Sequence, residues 1–118
     1  MSLHATLTDQ TRHLISEREL GLMKPGALLI NTARGALVDV DYLVSALQQQ
    51  SIGGAAVDVY ESEPPSPDHP LFQCENVILT PHAAAWTKFT MVEMGRIGAE
   101  NLWEMLSGRE PIYRVDIP

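Results

Sequence analysis

In this 118-residue chain an arginine, a set of carboxylates and a histidine each follow a short apolar run. Arg34 lies in the polar stretch Asn31-Thr32-Ala33-Arg34-Gly35. Asp58, Glu61 and Glu63 lie at or beyond the end of Ala55 to Val59, and Pro81-His82 follows Val77-Ile78-Leu79. A guanidinium presents a planar fork of donors that holds a carboxylate at two points, so Arg34 suits an anionic substrate. An imidazole titrates near neutrality and can give a proton to a carbonyl oxygen or take one from an alcohol. A carboxylate such as Glu63 on the second ring nitrogen stabilises the imidazolium and fixes its orientation. The chemistry this set offers is acid/base work on an anionic carbonyl compound. Taken singly, each residue has an ordinary alternative: a surface ion-pair partner for Arg34, a turn residue for His82, loop acids or helix caps for Asp58 and Glu63. Their joint occurrence after consecutive strands is what points to a site.

To meet in space, these residues need neighbouring parallel strands, because ligands of open α/β sheets bind at the strands' carboxyl ends. The sequence reads that way. Met1 to His4 resembles the tail of a strand, and Ser16 with Glu19 forms a capping box that starts a short helix over Glu17–Met23, closed by Lys24-Pro25-Gly26. The continuous run Ala27 to Ile30 predicts a strand buried on both faces. A helix follows from about Asp39 to Gln49, with Leu43, Val44, Ala46 and Leu47 on its packed side. Ala55 to Val59 and Val77 to Leu79 read as further strands, and strand, helix, strand with short links is the signature of a parallel sheet. Between them, Glu61 to Asn76 holds four prolines and predicts an irregular loop. Thr87 caps a long helix over Lys88–Leu106 that stops at Gly108, and Arg109 to Pro118 reads as an extended tail.

Composition narrows the function classes. A net charge of -7 argues against a broad nucleic-acid or anionic-membrane footprint. No apolar run reaches the roughly 20 residues of a membrane span, and the single Cys74 gives no internal disulfide, so a reducing, cytoplasmic setting is expected. His13 and His69 are expected to be exposed, and the scattered histidines give no metal-ligand spacing, so no metal is expected. Cys74 has no neighbouring base to activate it as a nucleophile. Trp86, shortly beyond His82, can wall a substrate pocket.

The segments Asn31 to Asp39 (NTARGALVD), Val57 to Pro64 (VDVYESEP) and Asn76 to His82 (NVILTPH) resemble the D-isomer-specific 2-hydroxyacid dehydrogenases, and Leu3-His4 through Ile15 resembles the stretch that precedes them. The resemblance implies an α/β, Rossmann-like parallel sheet with flanking helices. It implies an oxidoreductase that transfers a hydride between NAD or NADP and a small D-2-hydroxy acid or 2-oxo acid, of glyoxylate/hydroxypyruvate or phosphoglycerate type. The family's catalytic arginine, glutamate and histidine match Arg34, Glu63 and His82. By the same resemblance Thr32, Ala33 and Arg34 border the cofactor, Asp58 faces the nicotinamide carboxamide, and His82, Ala83, Ala84 and Ala85 pass beside the nicotinamide. The family's Gly-rich phosphate turn has no counterpart here, since Gly53-Gly54 has neither its spacing nor its place before a helix. Residues 1–108 therefore read as the C-terminal half of a dinucleotide-binding domain, with 109–118 as a tail leading back towards a substrate domain, and the 118-residue chain alone is expected to be inactive or nearly so. A dinucleotide-binding corepressor or interaction module is the alternative. A bare half-sheet is also expected to associate with another copy or with the half it lacks.

Overall fold

The computed structural model describes residues 1–115, which divide into two units, Met1–Ala84 and a second beginning at Ala85. In the first, strands β1 (Ser2–Leu3), β2 (Leu28–Asn31), β3 (Gly54–Val57) and β4 (Val77–Leu79) form one sheet in the order β1-β2-β3-β4 with every neighbouring pair parallel. Helix α1 (Glu17–Gly21) lies in the β1–β2 connection and α2 (Val40–Gln48) in the β2–β3 connection. The capping box starts α1 as its sequence requires, with the Ser16 N–H donating to Glu19 Oε2 at 3.2 Å. The helix ends at Gly21, earlier than the expected Met23. Asp39 caps α2 by accepting the Asp41 N–H, and this helix buries Leu43, Ala46 and Leu47.

The core joins these residues to Leu3, Leu29, Ala55 and Val57 of the sheet and to Leu20, Leu37, Ile52 and Leu71. Each large aliphatic side chain removed from water in this way contributes about 1.5–3 kcal/mol. The expectation that the Ala27–Ile30 run is buried on both faces does not hold within the first unit. Leu29 and Asn31 are buried, whereas Leu28 and Ile30 are 57% and 39% exposed and Ile78 of β4 is 68% exposed. The cause is that α1 and α2 both contribute to a single core on one side of the sheet, so only alternate strand residues reach it. An apolar row is left open on the other face, where Ile30 aligns with Ala56 and Ile78.

The proline-rich loop is not wholly irregular, because Pro70–Gln73 forms a 3₁₀ turn started by His69, which accepts the Leu71 N–H, and it buries Leu71 in the core. His69 is consequently half-buried against the rings of Tyr60 and Phe72 instead of exposed. In the second unit, α3 (Lys88–Leu106) has the predicted bounds and the predicted Thr87 cap, whose hydroxyl accepts the Thr90 N–H at 3.0 Å. Beyond Gly108 the chain turns back on this helix. The Asn101 side chain donates to the Tyr113 carbonyl and accepts its N–H, both at 3.1 Å, so the tail is not extended there. Asp116 to Pro118, the end of the expected tail, lie outside the described residues.

Candidate active site

Parallel strands deliver their following residues to one end of the sheet, and the loops after β2, β3 and β4 carry the residues singled out above. After β2, the buried Asn31 side chain shapes the turn: its Oδ1 accepts the Ala33 N–H at 3.1 Å and its Nδ2 donates to the Arg34 carbonyl at 2.9 Å. Beyond the turn, Ile15 pairs with Val38, and His13 and Ile15 donate their N–H groups to Ala36 and Leu37. Gly35 has a further steric reason. A Cβ there would stand 2.1 Å from the Tyr60 carbonyl carbon and 2.4 Å from the Glu61 nitrogen, so only glycine lets the Arg34 loop lie against the segment leading to Glu63. The Arg34 side chain itself is exposed and donates to the Ala33 carbonyl at 2.6 Å.

Beyond β3 and β4 the polar groups interlock. His82 Nδ1 lies 2.7 Å from Glu63 Oε2, and Glu63 Oε1 accepts the Tyr60 N–H at 2.9 Å. The hydrogen bonds from His82 and the Tyr60 amide hold the Glu63 carboxyl below the usual glutamate range against the opposing effect of desolvation, with the charges of His82 and Arg34 adding to them. Asp58, only 3% exposed, accepts the Thr80 hydroxyl at 2.5 Å and the Ala83 N–H at 2.8 Å on Oδ1, and the Ala84 N–H at 2.9 Å on Oδ2. Burial alone would push this carboxyl up. The Thr80 hydroxyl, the Ala84 and Ala83 amides and the charge of His82 outweigh it and keep the group ionised below the usual aspartate range. Burial and the charges of Asp58 and Glu63 push the Tyr60 phenol up, so it remains a donor, to the Thr80 carbonyl at 3.2 Å.

Of the residues expected to border a cofactor, Thr32, Ala33 and Arg34 line a recess of about 280 Å³ together with His4, Ala5, Thr6 and Leu7 from the chain after β1. Asp58, His82, Ala83 and Ala84 are joined by the hydrogen bonds just described. Ala85 opens the second unit, its carbonyl accepting the Thr87 N–H. The Asp58 carboxylate fits the amide-bearing end of a dinucleotide: three donors occupy it, and a carboxylate has about four acceptor positions. Nothing in these loops offers the glycine-rich amide cradle that a pyrophosphate needs. Sequence reasoning gave no role to His4, Tyr60 or Thr80. His4 could have been found as the polar residue directly following β1, whereas the contacts of Tyr60 and Thr80 depend on tertiary placement. Burial pushes the Cys74 thiol up, which agrees with its expected inertness.

Known proteins share this sequence pattern and fold. The family model for the D-isomer specific 2-hydroxyacid dehydrogenase NAD binding domain matches residues 1–84. A glyoxylate reductase from Aeropyrum pernix is 51% identical over 111 residues, which cover 94% of this chain and 33% of the relative. Among solved structures, a D-lactate dehydrogenase with NAD+ from Lactobacillus jensenii superposes with a TM-score of 0.87 at 31% identity, over 98% of this chain and 39% of that one. An acyclic imino acid reductase in complex with NADPH and D-Arg gives 0.88 at 34% identity, over 98% and 36%. The chain spans about a third of the length of the glyoxylate reductases it matches. The parallel sheet, the motif segments and the match across the whole first unit agree: the chain belongs to the D-isomer-specific 2-hydroxyacid dehydrogenase family, with residues 1–84 matching its NAD-binding domain.

Proposed function

We propose that this chain carries the acid/base pair and the carboxylate anchor of an NAD- or NADP-dependent dehydrogenase that interconverts a small 2-oxo acid and a D-2-hydroxy acid, glyoxylate being the first candidate. The His82–Glu63 contact at 2.7 Å carries the reading, since it leaves Nε2 of the same ring to face a reacting oxygen. The Aeropyrum pernix glyoxylate reductase supports the substrate class. In the reductive direction His82 gives its Nε2 proton to the carbonyl oxygen, and the ring is left neutral with Nδ1–H on Glu63. Glu63 stabilises the cationic ring before transfer and fixes which nitrogen faces the substrate. Arg34 leaves the Ala33 carbonyl to hold the substrate carboxylate at two points, orienting C2. Thr32, Ala33, Arg34, Asp58 and the stretch His82 to Ala85 would hold the nicotinamide end, with the spare acceptor position of Asp58 taking a carboxamide N–H. Bound there, the cofactor supplies or accepts the hydride at C2.

No helix among the described residues is long and apolar enough to cross a membrane, and the lone half-buried Cys74 supports a reducing, cytoplasmic setting. The open apolar row of Leu28, Ile30 and Ile78 supports association with another copy or with further polypeptide. The test is turnover of glyoxylate in a full-length enzyme carrying this segment, with Arg34→Ala and His82→Ala beside the parent. Both variants should lose most activity. A binding module that uses the dinucleotide without chemistry would lose little function, and ordinary enzyme rates from the 118-residue chain alone would contradict the separate expectation that it is inactive by itself.

A further inference from the structure

His82 has a backbone conformation that a histidine does not adopt without support. Its φ is +55°, in the left-handed region that costs a non-glycine residue about 1–2 kcal/mol. Such a residue persists where its surroundings over-determine it. The imidazole makes one side-chain hydrogen bond, to Glu63, so the support lies in the flanking residues.

Thr80 is fixed at all three of its polar groups. Its N–H donates to the Val57 carbonyl at 3.0 Å, its carbonyl accepts the Tyr60 hydroxyl at 3.2 Å, and its own hydroxyl donates to Asp58 Oδ1 at 2.5 Å. On the far side of His82, the N–H groups of Ala83 and Ala84 end on the same carboxylate. One buried anion therefore closes a clasp on both flanks of the strained residue. A carboxylate this deeply buried needs its lone pairs filled. The Thr80 hydroxyl is the only one of its donors that comes from a side chain, and so the one that a substitution can remove without changing the backbone.

We propose that Thr80, acting through Asp58, is a positioning residue that holds His82 in its left-handed conformation and so seats the imidazole on Glu63. Tyr60 braces both Glu63 and Thr80, with its amide on the Glu63 carboxylate and its hydroxyl on the Thr80 carbonyl. This rests on the reading of His82 as the acid/base group, yet its test does not need turnover. The test follows the titration of the Glu63 carboxyl carbon and the His82 ring nitrogens by NMR in the 118-residue chain, comparing the parent with Thr80→Val and Thr80→Ser. Valine keeps the shape and removes the hydroxyl, whereas serine keeps the hydroxyl.

The parent and Thr80→Ser should both show Glu63 titrating below the usual glutamate range, with a hydrogen-bonded Nδ1 proton. In Thr80→Val that proton signal should be lost and Glu63 should move up towards its ordinary value while the amide spectrum stays folded. A valine variant with both signals unchanged overturns the proposal, and so does a serine variant that behaves like valine. If the valine variant does not fold, the parent decides: the account requires a slowly exchanging Thr80 hydroxyl proton that vanishes when Asp58 is protonated, and its absence overturns the clasp. Loss of these signals in Thr80→Val together with an active His82→Ala enzyme would instead refute the function proposed for His82 and leave the clasp standing.

Discussion

Around His82 nearly every polar group is tied down, whereas around Arg34 only the backbone is. The histidine turn is clasped by Asp58, braced by Tyr60 and aimed by Glu63. The arginine turn is shaped by Asn31 and by the close approach at Gly35, but its guanidinium is exposed and rests on a neighbouring carbonyl. The difference matches what the proposed function asks of each side. A proton donor loses efficiency if its ring samples other orientations, so rigidity set before binding favours it. A carboxylate clamp gains its order from the anion it holds, and a long side chain that can swing admits and releases that anion.

Breaking the contact between the two sides should have the largest effect. Gly35→Ala places a methyl group inside the Tyr60–Glu61 backbone, and we expect a loss of about 3 kcal/mol or more in urea unfolding, since neither backbone can yield cheaply. A change below about 0.5 kcal/mol would show that the two turns are not packed as described. Arg34→Lys probes the mobile side alone. Lysine keeps the charge but loses the fork, so kcat/KM for glyoxylate in the full-length enzyme should fall about 10- to 100-fold, the equivalent of one charge-assisted hydrogen bond of about 1.5–3 kcal/mol. Stability should be unchanged, because no other part of the fold depends on that side chain.

The smallest effect concerns the clasped side in acid. The folded state holds the Asp58 and Glu63 carboxyls below their ordinary values, so the unfolded chain binds their protons more readily. Their stabilisation is complete above the ordinary carboxylate range and is lost as pH falls through the depressed values. The urea midpoint should therefore decline below about pH 4, and the decline should be shallower in Asp58→Asn, which has no proton to take up there. Parallel acid slopes for the parent and Asp58→Asn would show that the buried carboxylate is not coupled to folding.

The comparison also explains what the sequence could reveal. The strands, α2 and α3 were legible because apolar runs, caps and helical spacing are local signals, and Arg34, Glu63 and His82 stood out because each follows a strand. The clasp was not legible, since Asp58, Thr80, Ala83 and Ala84 meet only once β3 and β4 are paired. A motif resemblance named Asp58 without showing that three of its acceptor positions are already filled by the protein. The open face of β2 was misread for the converse reason. A continuous apolar run reports what a strand can bury, and the helices of the first unit cover only one side.

The most direct measurement of the central claim is hydride-transfer turnover of glyoxylate by the full-length enzyme with His82→Ala, made alongside coenzyme binding. Loss of the positioned acid should lower kcat by about 10²- to 10⁴-fold while the coenzyme still binds. Turnover within about threefold of the parent would contradict the assignment of proton transfer to the clasped side of the site.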